Sequence, residues 1–368
     1  MKKFYLLVAI AMMAVALNAK NAFLLLESSI SNLPTEQSET DLGTLDENPE
    51  QNAANWYKAQ YADKNLGVFI HANEISTALA NGISCIWVNI DRVGLDDIKT
   101  AGISDAVIAD LKKYVEDGGN LYLTKQATMI AHRIGRIYPP TFSNGGYHLG
   151  GDTWAVNPQL GLWYGIGQVF DRSDHPIYED VEWDTSIYTY VPSEGAEAVP
   201  YKVLPLVGAN PRTDNNCMWV DLFRKDPSNP TDYIRAEDAE AAGIDVHYAN
   251  DNVLRLTEFE EDWNASMLGC WGQVLDFCSA GIVEMHPEGA FKGIVLGNGF
   301  AAYQWGTNND YVANVKKLTK NCLNYLTAVE TAIENTTVPT TAVKLIENGQ
   351  VVIVKNGVRY NVLGAEIK

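Results

Sequence analysis

The chain has 368 residues, and its 46 acidic against 27 basic side chains give a formal charge of −19. So acidic a surface lacks the basic footprint that nucleic acid or anionic lipid requires, which excludes both as expected partners. An apolar fraction of 46% is ordinary for a globular chain long enough to bury a full core.

Lys2 and Lys3 precede an uncharged apolar run from Phe4 to Leu17, which Asn18, Ala19 and Lys20 end. A membrane span needs about 20 apolar residues. The shorter run with positive flanks therefore predicts a signal peptide over 1–19, with Ala19 at the cleavage site. No cysteine lies near Ala19, so a lipobox is missing, and no later segment predicts a membrane span. The expected location is secreted, cell-surface or periplasmic. Residues 20–51 read as an acidic linker, because Ser28 to Gln51 is rich in Ser, Thr, Glu, Asp and Asn.

A helix follows, with Ala53, Trp56, Tyr57 and Tyr61 at helical spacing. Gly67 to His71 and Cys85 to Ile90 are predicted strands. Ser104 opens a helix with Asp105 in its first turn and Val107, Leu111, Tyr114 and Val115 as its apolar stripe. Gly118 and Gly119 stop it, Asn120 to Thr124 is the next strand, and a helix begins at Gln126. Beyond a stretch from Tyr138 to about Asp262, dense in Gly, Pro, Asn, Asp and aromatics, come a strand from Gly293 to Gly297 and a helix from Asn309 to Thr327. Alternating strands and helices predict an α/β fold with a parallel sheet. The long stretch reads as an insertion at the sheet's carboxyl edge, where such folds keep their binding sites. Residues 331–341 form a Thr/Pro linker. The Asn-Gly pairs at 348–349 and 356–357 then predict a small C-terminal β-hairpin module over 342–368.

The run Asp117 to Gly135 (DGGNLYLTKQATMIAHRIG) resembles the class I glutamine amidotransferase-like, flavodoxin-like fold, in which a strand leads into a nucleophile elbow. That resemblance implies Thr124 at the position of the family's Cys, with Lys125 after it. His286-Pro287-Glu288 is similar to the HPE that completes the triad in catalytic relatives. A Thr hydroxyl is not ionised as a thiolate is, so Thr124, His286 and Glu288 mark candidate catalytic positions without implying a working triad. More broadly, Trp56 to Leu326 resembles an uncharacterised family of exported Bacteroidetes proteins, the domain of unknown function 4960. The tail VKLIENGQVVIVKNGVRYNVLGAEI is similar to the sorting modules of Por secretion. These resemblances imply a place among polysaccharide-utilisation proteins, with outer-membrane glycan-uptake proteins as partners.

Carbohydrates are held by flat aromatic faces, with amides and carboxylates collecting the hydroxyls. Trp154, Trp163, Tyr164 and Trp183 in the insertion, and Trp305 after the last strand, are the candidate ligand-binding residues; packing within the insertion itself is the plainer use for any one of them. Asp171, Asp174, Glu179, Asp180, Glu182 and Asp184 are candidate hydrolytic carboxylates, but in so acidic a chain they also read as a solvated face. Asp91, Asp96 and Asp97 lack the spacing of a calcium loop. His132, His148, His175 and His247 show no zinc pattern, so no metal and no cofactor are expected. Cys85, Cys217, Cys270, Cys278 and Cys322 form no CxxC pair; Cys85 reads as core, and a bridge from Cys270 to Cys278 or Cys217 stays open. The expectation is a non-catalytic, exported glycan-binding or accessory protein for a polysaccharide or oligosaccharide, with a secreted carbohydrate or amide hydrolase as the alternative.

Overall fold

The computed structural model describes residues 19–26, 49–91, 97–144, 154–160, 170–185, 189–190, 199–200, 202–207, 215–220, 222–234, 238, 241, 243, 252–271, 279–300, 311–335, 343–347, 350–355 and 358–360. The predicted signal segment before Ala19 lies outside them.

The strands of the main sheet are β1 (Lys20–Leu24), β2 (Gly67–Ile70), β3 (Ile83–Ile90), β4 (Asn120–Lys125), β5 (Trp154–Asn157), β6 (Leu204–Val207), β7 (Ala265–Trp271), β8 (Ile282–Met285) and β9 (Val295–Asn298). Their spatial order is β6-β5-β7-β8-β9-β4-β3-β1-β2. The five strands from β2 to β9 are parallel. In chain order they run second, first, third, fourth, fifth, the flavodoxin-like arrangement. β8, β7, β5 and β6 extend this sheet with antiparallel pairs. The fold is thus the predicted α/β class, with an antiparallel wing that strand-by-strand reading did not anticipate.

One expectation is overturned at the amino end. Lys20–Leu24 is not linker: it pairs with β2 on one side and β3 on the other, and Ala22, Phe23 and Leu24 are buried. Five apolar-rich residues between two partners are enough for a strand, because the neighbours supply the ladder. Tyr57 fixes this strand. Its hydroxyl donates to Asn21 Oδ1 at 2.7 Å, with the carbonyls of Asn21 and Val68 at 2.9 and 3.2 Å.

The two faces of the parallel strands are packed differently. α1 (Pro49–Tyr57) brings Trp56 and Tyr57 to one face, where they meet Phe23, Phe69 and Trp87. The opposite face carries an aliphatic core of Leu24, Ile86, Val88, Ile90, Leu121 and Leu123. α2 (Asp105–Glu116) packs into it through Val107, Ile108, Leu111 and Val115, and Ser104 Oγ caps the helix by accepting from the Val107 amide at 3.3 Å. The helix stops at Gly118, whose φ of +113° suits glycine alone.

Beside the short helices Ile75–Ala78 and Met129–Arg133, the scaffold includes two longer ones, α3 (Asn252–Trp263) and α4 (Val312–Asn335). Asn120 ties α4 to the sheet: its Nδ2 donates to the Leu326 carbonyl at 2.7 Å, while its Oδ1 accepts from the Ile294 amide at 2.7 Å. Among the described residues no helix is long and apolar enough to cross a membrane. The chain divides into two compact units, the second being Ala328–Lys368. Its described strands, Val343–Glu347, Gln350–Lys355 and Val358–Tyr360, form an antiparallel sheet in chain order.

The cysteine expectation is also corrected in part. Cys217 and Cys270 are both buried free thiols, so the bridge between them is not made; Cys278 lies outside the described residues.

Candidate functional site

Thr124, the candidate position singled out in the sequence, lies where β4 ends. Its backbone there makes a sharp turn, and the strained residue is Lys125, at φ 54° and ψ −130°. The strained turn therefore falls one residue beyond Thr124, the position inferred from the sequence. A non-glycine residue in this region costs of order 1–3 kcal/mol and persists only when its surroundings over-determine it. The surroundings here do so: Lys125, Gln126 and Thr128 are all 0% exposed. Thr128 Oγ1 donates to the Lys125 carbonyl at 2.8 Å, holding the turn closed.

Thr124 is equally fixed. Its hydroxyl donates to Asn89 Oδ1 at 2.6 Å and accepts from Trp87 Nε1 at 3.0 Å. Both neighbours come from β3, aligned by the pairing of Asn89 with Thr124. Around the rim Asp91 and Glu50 are buried, and the Asp91 amide donates to Glu50 Oε1 at 3.3 Å. Cys217 also sits near Lys125. Burial pushes its thiol up to about 12, although the Lys125 charge and a hydrogen bond with Thr128 pull the other way. That thiol stays protonated at neutral pH and is no thiolate nucleophile.

The other two triad candidates are elsewhere. His286 follows β8, whose last residue Met285 pairs with Val295, at the edge where β4 begins. Thr124 pairs with Asn298 at the far end of the same strand, β9. The His286 ring turns to Ser266, with Nε2 2.9 Å from Oγ. Glu288 goes to Arg136 Nη1 at 3.0 Å and Lys225 Nζ at 3.5 Å. The three residues do not form a triad.

The aromatic candidates are only partly in view. Trp154 lies on β5; Trp163, Tyr164 and Trp305 lie outside the described residues. Trp183 is half-buried, with its ring tilted against Tyr178 at 5.4 Å. Its loop is held from below by α4: Asn314 Oδ1 accepts from the Glu182 amide and its Nδ2 donates to the Glu182 carbonyl, both at 3.0 Å. Asp171, Asp174, Glu179, Asp180 and Glu182 are exposed and Asp184 is half-buried. Asp97 accepts from the Lys99 amide at 2.9 Å and so caps the turn that follows β3. Among the described residues no group of His, Cys, Asp or Glu is arranged to hold a metal.

One polar cluster carried no signal in the sequence. Glu284, on β8 and 2% exposed, is 3.2 Å from His175 Nε2 and accepts from the Tyr325 hydroxyl at 2.6 Å. Burial raises its carboxyl, but the hydrogen bonds from His175 and Tyr325 and the charges of His175 and His286 outweigh it and hold it below the usual value. Glu260 on α3 goes the other way. Burial lifts its carboxyl above the ordinary range, although Arg172 Nη2 donates to both its oxygens at 3.0 and 2.9 Å.

No protein-family model matches the chain, and no curated protein matches it. Among solved structures it is similar to the cytoplasmic protein STM3548 from Salmonella typhimurium. That likeness has 10% identity and a TM-score of 0.32, over 74% of this chain and 86% of the other.

Proposed function

We propose that the chain is an exported glycan-binding or accessory protein of a polysaccharide-utilisation system, and that its amidotransferase-like edge performs no chemistry. The occupancy of the elbow carries this reading. The residue at the turn is a fully buried lysine, and the neighbouring hydroxyl of Thr124 is engaged on both sides by Trp87 and Asn89. The His286 imidazole and Glu288 carboxylate lie beyond the opposite end of β9 from Thr124, and Glu288 is paired with Arg136.

For the ligand, the aromatic-rich insertion supports a carbohydrate, with Trp183 as the described ring available to stack on a sugar face. Export rests on the amino-terminal pattern, and the system rests on the resemblance to exported Bacteroidetes proteins. Affinity electrophoresis on a polysaccharide panel, with product analysis of the same mixtures, tests the proposal. The expected result is retardation without products, weakened about tenfold or more by Trp183→Ala, the loss of about 1.4 kcal/mol. Absence of retardation across the panel overturns the glycan reading; cleaved saccharides that disappear in Thr124→Val overturn the reading that this edge performs no chemistry.

A further inference from the structure

We propose that Ser266 and His286 form a nucleophile–base pair able to take an acyl group from a small ester, at the edge of the sheet opposite the elbow. This inference does not rest on the glycan reading.

The pair is assembled by strand register. Ser266, second residue of β7, is opposite Glu284 of β8, and His286 lies two residues beyond Glu284. Alternation along a strand puts all three side chains on one face. Ser266 Oγ and His286 Nε2 are 2.9 Å apart, within the reach required of a general base, and both residues are half-exposed. The His286 backbone is held at both ends. Its amide donates to the Asn264 carbonyl at 2.9 Å, and its carbonyl accepts from Arg136 Nη2 at 2.6 Å. Asn264, immediately before β7, has a positive φ of 42° and donates from Nδ2 to the Pro287 carbonyl at 2.9 Å. The two strand ends are thereby locked to each other, and the imidazole is positioned before any ligand arrives.

The charge of His286 interacts favourably with the carboxylates of both Glu284 and Glu260. Glu260 is steadied for this by Arg172 and by the Met267 amide, which donates to it at 2.9 Å. Glu284 is steadied by His175 and Tyr325. Ser266 and His286 are the catalytic residues.

In the proposed step Ser266 Oγ attacks the ester carbonyl carbon, and its proton passes to His286 Nε2. A carbon–oxygen bond to Ser266 forms. The bond from the carbonyl carbon to the alcohol oxygen breaks, and the departing alkoxide takes the proton back from the imidazolium. Water, deprotonated by the same nitrogen, then attacks the acyl carbon; the bond from that carbon to Ser266 Oγ breaks, the imidazolium returns its proton to Oγ, and the acid leaves.

The test uses the full chain with a fluorophosphonate probe and with p-nitrophenyl acetate, reading adducts by peptide mass mapping and released nitrophenolate by absorbance. The expected result is an adduct on Ser266 that is absent from Ser266→Ala and forms on the order of 100-fold more slowly in His286→Gln. A Ser266→Cys variant gives a second readout: iodoacetamide should alkylate it at least about tenfold faster than it alkylates the Ser266→Cys, His286→Gln double variant. An unlabelled Ser266, or equal rates with and without His286, overturns the proposal.

Discussion

Glu284 shows how a charge survives inside an apolar sheet. Burial alone would keep it protonated, yet two donors from separate elements hold it ionised. Its folded value lies below its unfolded one. The stability it contributes is therefore complete above the usual 4.5 and is lost as pH falls through the folded value. Glu284→Gln should cost about 2 kcal/mol at neutral pH, the worth of a charge-assisted hydrogen bond. The gap between variant and wild type should narrow steadily as urea unfolding is repeated below pH 4.5. A gap that stays constant with pH would show that the carboxylate is not ionised in the folded chain. The residue scale is also where the sequence misled. Lys125 carries the strained turn and Thr124 does not, because backbone conformation at a strand end is set by what packs around it. No motif count could have placed a buried lysine there.

Elements were legible where local chemistry writes them. Ser104 with Asp105 marks a helix start, Gly118-Gly119 marks its stop, and the apolar run Cys85 to Ile90 reads as a strand buried on both faces. β7 and β8 were not legible, because an antiparallel wing depends on partners far along the chain. The Ser266–His286 contact inherits that difficulty, since register and not spacing creates it. One junction between elements is tight enough to test. A Cβ on Gly293 would lie 1.9 Å from the carbonyl oxygen of Gly119, where the loop after α2 passes the lead into β9. The Gly293 amide also donates to the Val115 carbonyl at 3.0 Å, so neither backbone can retreat freely. Gly293→Ala should destabilise by about 1–3 kcal/mol through overpacking, measured by thermal or urea unfolding. A variant as stable as wild type would show that the two loops separate without cost.

For the whole molecule, the sheet order makes the amino end structural. β1 bonds to β2 and to β3 at once, so losing it would break both ladders and leave Tyr57 without Asn21. Two truncations separate the residues before β1 from the fold. A chain lacking residues 1–18 should retain the circular dichroism and cooperative unfolding of the full chain. One lacking residues 1–26 should lose cooperative unfolding. If both behave alike, β1 is dispensable and the sheet closes without it.

The same strand sets a constraint on timing. Asn21 must find Cys85 across the sheet, and β2 and α1 also lie between them in the chain. During synthesis the apolar run Ala22-Phe23-Leu24-Leu25-Leu26 therefore emerges long before its partner exists. Contacts so distant in sequence form slowly, and an unpaired apolar edge in the interval invites association with other chains. The first strand made is among those that must wait, and whatever shields it in that window governs how much chain reaches the folded state.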